Sequence, residues 1–321
     1  MTTATTTTTM TTTATPTEAN TLHTLDTLSA QRNALESASL TIFEDQVMTP
    51  LEPLWQPFAS HLSMETGQDA PSPALNAARM MGIYSPLDNC EEGLDALDAF
   101  AEADVWTHSV NAAEEALRRL EPHTHGLNLN QITLTLALGN LSRLDMNYGA
   151  YTGMQTPTEQ GHVALVMGYP NPTGTPRLPV AAAHELHHIV RFAFEPFMPG
   201  LTLGKYLVAE GLAEAFGLEV ANDPQLVGPY CTALSATQMT NLKPRFAEAI
   251  HEADFNVVRG YIFGDWAAEQ FHYPKQNVPD FAGYSIGFAL VQAYLARTGQ
   301  TATQATYVPW QEIVEASGYF G

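Results

Sequence analysis

Pro179-Val180-Ala181-Ala182-Ala183-His184-Glu185-Leu186-His187-His188-Ile189-Val190-Arg191 is the stretch on which the reading of this chain turns. Pro179 suits the first turn of a helix, where its missing N–H is not needed, and the three alanines after it favour helix. Residues four apart on a helix lie one above the other, so His184 and His188 present two imidazoles that can converge on one cation. Glu185 neighbours the first of them, and a carboxylate there can take a proton from an attacking water and pass it to a leaving amine. That is the chemistry of zinc-dependent peptide hydrolysis. The competing reading is an amphipathic helix whose histidines are merely hydrogen-bonded or exposed. His187, three residues after His184, would leave Glu185 without a role if it were the ligand, so it is assigned structural or supporting duty.

A third ligand is expected from another helix. Leu203 to Phe216 has helical spacing, with Pro199-Gly200 before it and Gly217 at its end. It contains Glu210-Gly211-Leu212-Ala213-Glu214. Glu210 follows His188 by 22 positions, enough chain to end one helix, turn, and lay a second beside it. Glu214 is one turn further on the same face. One carboxylate can ligate while the other accepts the second ring N–H of a ligating histidine. Two solvated glutamates on an acidic protein are the plainer alternative.

Working outward, strand patterns occur only in the middle of the chain. Gln131 to Leu138 alternates Ile132, Leu134, Leu136 and Leu138 with Thr and Ala, and His162 to Tyr169 carries Val163, Leu165 and Met167. Asn147 to Gly161 between them reads as a loop, and Pro170 to Pro179, with four prolines, ends the second strand. Leu22, Leu25, Leu28, Leu35, Leu40, Phe43 and Val47 recur near helical spacing, which predicts one or two helices over residues 20–48. The proline-rich segment 51–86 breaks regularity, and Glu91 to Leu120 reads as helix again, acidic early and with Arg118 and Arg119 late. Twelve of the first seventeen residues are Thr, a run too polar to offset its own ordering entropy. The expected organisation is a flexible Thr-rich tail over 1–20, a helical N-terminal region over 21–104, and a catalytic domain over 105–321.

Composition excludes several classes. The 321 residues include 34 acidic and 13 basic side chains, a formal charge of −21 that repels phosphate backbones and anionic membranes, so no nucleic acid and no membrane is expected as a partner. No apolar run approaches the ~18 residues of a membrane span. No Lys or Arg precedes Arg32 and no apolar core follows Met1, which disfavours a signal peptide. Cys90 and Cys231 are the two cysteines, too few for a disulfide framework or a cysteine zinc ribbon, a usage that resembles cytoplasmic proteins.

The histidine motif followed by Glu210-Gly211-Leu212-Ala213 resembles the gluzincin arrangement of two His and one Glu. It is particularly similar to the YjaZ-like zinc-dependent proteases, a bacterial domain family. Phe281-Ala282-Gly283-Tyr284-Ser285-Ile286-Gly287-Phe288-Ala289-Leu290 and Glu312-Ile313-Val314-Glu315-Ala316-Ser317 resemble the C-terminal part of that family, so the resemblance spans about residues 105 to 321. It implies His184, His188 and Glu210 as zinc ligands, Glu185 as general base and Glu214 as the carboxylate supporting a ligand.

The expected fold is therefore α+β and mainly helical, with a small sheet whose edge strand, here His162 to Tyr169, lies over a zincin-like pair of active-site helices and holds an extended peptide. The expected cofactor is Zn2+, since two imidazoles and one carboxylate leave a fourth position open. The expected reaction is hydrolysis of peptide or protein substrates. A zinc-containing peptide-binding protein without turnover, or a hydrolase of non-peptide amides or esters, are the alternatives. Glu185 argues against the first, because a closed structural site needs no base. Tyr284 can donate to the oxyanion of a tetrahedral intermediate, or can be a core tyrosine with a satisfied hydroxyl. His123 and His125 in a turn read as solvated, and Cys231 as a buried thiol.

Overall fold

The computed structural model describes residues 21–58, 72–140, 149–159 and 161–321. The Thr-rich stretch 1–20 and part of the expected 147–161 loop lie outside them. The described chain is mainly helical around one four-stranded mixed sheet: β1 (Thr21–Leu25), β2 (Gln131–Leu138), β3 (Tyr151–Pro157) and β4 (Gly161–Gly168), in the order β1-β2-β4-β3. β1 runs parallel to β2 and β2 to β4, while β3 returns antiparallel to β4 with Tyr151 opposite Gly168 and Pro157 opposite His162.

Two expectations about strands are corrected here. His162 to Tyr169 is not an edge: β4 is paired on both sides, and the edges are β1 and β3, the latter within the stretch read as loop. The reason is visible in the side chains. Val163, Leu165 and Met167 bury on one face of β4 and Ala164 and Val166 on the other, as a central strand covered on both faces requires. β3, with Gly153, Gln155 and three of its seven residues Thr or Pro, is half-buried along most of its length. The second correction is Thr21–Leu25, which pairs with β2 rather than opening a helix.

Helices cover both faces of the sheet. On one side lie α1 (Thr27–Glu36), capped by the Asp26 side chain on the Ser29 N–H, a turn at Leu40–Phe43, and α2 (Pro73–Met81). Phe43, Val47, Met48, Leu51, Leu54 and Trp55 pack there against Ala137, Val163, Leu165 and Met167. Gln31 ties this layer to the end of β2: its side-chain amide donates to the carbonyls of Tyr84 and Leu138 (2.9 and 3.0 Å) and its oxygen accepts the Leu138 N–H at 2.7 Å. The expected helix over 91–120 is two, α3 (Cys90–Glu102) and α4 (Val105–Leu120), parted where Asp104 adopts a left-handed conformation.

The opposite face carries α5 (Leu178–Phe194), α6 (Leu203–Ala221) and α4, and Ile132, Leu134, Leu136 and Leu138 of β2 enter the same core as Leu186, Ile189, Val190, Val208, Leu212 and Phe216. Beyond α6 follow α7 (Ala236–Glu248), α8 (Phe255–Phe263), α9 (Asp265–Phe271), α10 (Ala282–Thr298) and α11 (Trp310–Ser317). A third apolar cluster, including Leu203, Leu207, Phe246, Val258, Ile262 and Ile286, joins α6 to α7, α8 and α10. α5 and α6 are buried nearly all round, so they are the innermost pair of the molecule. No helix among the described residues is long and apolar enough to cross a membrane.

Candidate metal centre

His184 and His188 stand one turn apart on α5 with ring centroids 4.6 Å apart. Both turn their Nε2 atoms toward one oxygen of Glu210 on α6, at 3.4 and 3.6 Å. One donor atom from each of the three residues falls within 4.8 Å of the others, and all three side chains are buried. This is the cluster of the described residues that fits a metal ion. Two imidazole nitrogens and a carboxylate oxygen crowded in the dry interior suit a tetrahedral cation of the zinc type with one position free. The buried Nδ1 of His188 has no hydrogen-bond partner.

Gly211, beside Glu210, sets how α6 meets α10. A Cβ there would run into the carbonyl oxygen of Gly287, and one on Gly287 would run into the carbonyl of Leu207. The two glycines let the helix backbones touch, which brings Tyr284 of α10 alongside Glu210. Burial and then the Glu210 charge push the Tyr284 phenol well above its usual range, with Tyr206, Glu185 and Cys231 acting in the same direction. Its half-buried ring packs edge-on against Tyr230 at 5.1 Å and beside Phe263 and Phe281, each at 5.8 Å.

Glu214 is 1% exposed and accepts the Gly228 N–H at 2.5 Å and the Tyr230 hydroxyl at 2.8 Å. One of its oxygens also faces the His184 Nδ1 at 3.6 Å, beyond hydrogen-bond length. Burial opposes protonation of His184, but the Glu210 and Glu214 carboxylates override it and hold the imidazole up at about 10. Glu210 is desolvated as well, yet His188 and His184 hold it down at about 2. Glu185 differs: burial raises its carboxyl, and the neighbouring histidines only partly offset this.

Glu185 faces the edge strand. A Cβ on Gly153 would overlap the Glu185 carboxylate, so the backbone of β3 passes directly over the proposed base. His187 points elsewhere. It is fully buried, its Nε2 lies 3.1 Å from Thr306 Oγ1, and burial drives it to neutrality, well below its ordinary pKa. His125 stacks on Tyr307 at 3.5 Å. Sequence reasoning missed Gly153, Tyr206 and Tyr230. Of these only Tyr206, one turn before Glu210 on the same helix face, carried a spacing signal. A cavity of about 570 Å3 lies between α4 and the ends of α5 and α6 and shares no residue with this cluster.

Two adjacent buried helices, one carrying His184, Glu185 and His188 and the other Glu210, bring together three side chains that could hold a metal ion. The chain belongs to the family described as "Predicted Zn-dependent protease (DUF2268)", whose pattern matches residues 110–315. It is also 28% identical over 280 residues to the "Uncharacterized protein YjfC" of Bacillus subtilis (strain 168), covering 87% of this chain and 91% of that protein. No solved structure matches the chain.

Proposed function

We propose that the protein is a zinc metallopeptidase of gluzincin type, in which His184, His188 and Glu210 hold the ion and Glu185 is the general base. The observation that carries this reading is that both Nε2 atoms meet one Glu210 oxygen while Glu185, one residue from the first histidine, faces the backbone of an open sheet edge. A bound zinc would polarise the scissile carbonyl and make water a stronger acid.

The residues of the chain do the rest. Glu185 takes a proton from the attacking water and returns it to the leaving nitrogen, and its burial-raised pKa suits a group that must both accept and release it. Tyr284, held beside Glu210, donates its phenol hydrogen to the developing oxyanion. Glu214 fixes the ring of His184. β3, with one side unpaired among the described strands, receives the substrate backbone as an added strand, so the substrate is an extended peptide or an unfolded protein segment. The catalytic unit spans 105–321. Free thiols at Cys90 and Cys231 support a cytoplasmic location.

The test is mass-spectrometric profiling of a peptide library with the zinc-loaded chain, the chelated chain and Glu185→Gln. Cleavage only by the zinc-loaded, unsubstituted protein is expected. Equal turnover by Glu185→Gln would remove Glu185 from its role.

A further inference from the structure

α8 carries a guanidinium for which the described residues supply no hydrogen-bond acceptor. Arg259 lies one turn before Phe263. Phe263 in turn packs against Tyr206 at 6.2 Å and Tyr284 at 5.8 Å between ring centroids, so this face borders the metal centre. The half-buried Arg259 sits among three aromatic rings, its Cζ 4.6 Å from the ring centroid of Tyr273, 5.5 Å from that of Phe255 and 6.0 Å from that of Phe271. Among the described residues no carboxylate oxygen lies within 4.0 Å of it, whereas Arg32, Arg118, Arg119, Arg191 and Lys275 each have one. In a chain with 34 acidic and 13 basic residues, such a partner would be easy to supply.

A second orphan accompanies the first. The Tyr273 hydroxyl is buried and makes no hydrogen bond. Tyr206 also belongs to this group: burial and the Glu210 charge push its phenol up, with Tyr273 adding to the rise and Arg259 opposing it. The Arg259 guanidinium and the Tyr273 hydroxyl are both donors, and an oxyanion is the partner that would serve both. Rings stacked around the guanidinium fix its plane while leaving N–H groups free for two-pronged recognition of a carboxylate.

We propose that Arg259 binds a carboxylate of the substrate, either the C-terminal carboxylate of a short peptide or an Asp or Glu side chain, on the face of α8 whose Phe263 packs against Tyr206 and Tyr284. This rests on the metallopeptidase reading for the identity of the ligand as a peptide. Arg259 is a specificity residue, and the carboxylate it holds sets which bond faces Glu185.

The test uses randomised hexapeptide pools in four forms, with a free or amidated C-terminus and with or without one Glu. Retention by the full-length zinc-loaded Glu185→Gln protein is measured by ultrafiltration and mass spectrometry, with Arg259 intact, Arg259→Lys or Arg259→Gln. Preference for one carboxylate-bearing form by about 10- to 100-fold is expected, lost in Arg259→Gln and partly kept in Arg259→Lys. A free-acid preference identifies the terminal carboxylate, and a Glu-pool preference the side chain. Equal retention of all four pools, an unchanged preference in Arg259→Gln, or an equal loss across all pools would overturn the proposal. The same pools given to the Glu185-bearing protein separate the two readings, because absent cleavage with a carboxylate preference refutes the peptidase and leaves Arg259 in its role.

Discussion

Alanine at each of the two glutamates of α6 should separate holding the metal from holding the site together. Glu214 accepts the Gly228 N–H and the Tyr230 hydroxyl in a buried position. Glu214→Ala therefore strands two buried donors at about 1 to 3 kcal/mol each, so the metal-free chain should lose about 2 to 6 kcal/mol. Its zinc affinity should fall about 10- to 100-fold, because His184 loses its orienting acceptor. Glu210→Ala removes a donor atom from the ion, and its zinc affinity should fall by more than Glu214→Ala causes. Its metal-free stability should change less, since both imidazoles can become neutral once the carboxylate is gone. Urea unfolding of the metal-free proteins gives the first quantity, and competition against a chromogenic chelator the second. Equal losses in both assays, or Glu214→Ala weakening zinc more than Glu210→Ala, would refute the assignment of ligand and support.

In the metal-free protein, the His184 pKa lies at about 10 against an ordinary 6.5. The stability from this pairing is fully present below pH 6.5 and is lost as pH rises toward 10. Zinc must displace that proton, so affinity should rise about tenfold per pH unit between pH 7.5 and 9 in the same titration, where an unperturbed imidazole would give a flat response. Gly153→Ala should fold and keep zinc but lose at least about tenfold in kcat/KM, since the new Cβ displaces the Glu185 carboxylate, as steady-state kinetics on a library-derived substrate will show. Gly211→Ala should destabilise the protein by about 1 to 3 kcal/mol in thermal or urea unfolding, because α6 and α10 must separate.

The site was legible where the chemistry is written into one helix. His184, Glu185 and His188 are contiguous, and the small Gly211 after Glu210 marks a helix that another backbone touches. Glu214, one turn on, is buried beside them with its oxygens on the Gly228 N–H and the Tyr230 hydroxyl, partners that no spacing announced. Periodicity showed β2 and β4 but concealed the two outer strands of the sheet. Leu22 and Leu25 continue the three- and four-residue spacing of the helix after them, so a five-residue edge strand looks like a helical turn until its partner Gln131–Thr135 is known. Tyr151–Pro157 contains one aliphatic side chain, Met154, and pairs through its backbone, so no alternating pattern announces it. β4 has an apolar run that fits a central strand, yet pairing order is a property of the assembled sheet. Tyr230, which donates to Glu214, and Tyr206, one turn before Glu210, come from separate segments, and no spacing in the chain foretells how the turn at Pro229–Thr232 folds back onto α6.

The N-terminal helices are accounted for by the same geometry. A sheet with apolar side chains on both faces needs two covers, and the layer built from Phe43, Val47, Met48, Leu51, Leu54 and Trp55 is the second. The Gln31 bridge to Leu138 shows how closely this layer is fitted to the strand beside β4.

The measurement that bears most directly on the centre is elemental analysis of the full-length protein prepared without chelator, alongside His184→Ala and His188→Ala. The three-residue site predicts about one equivalent of zinc per chain and near-complete loss in either variant. A chain that holds no transition metal and takes none up when zinc is added, or histidine variants that keep the full equivalent, would contradict it.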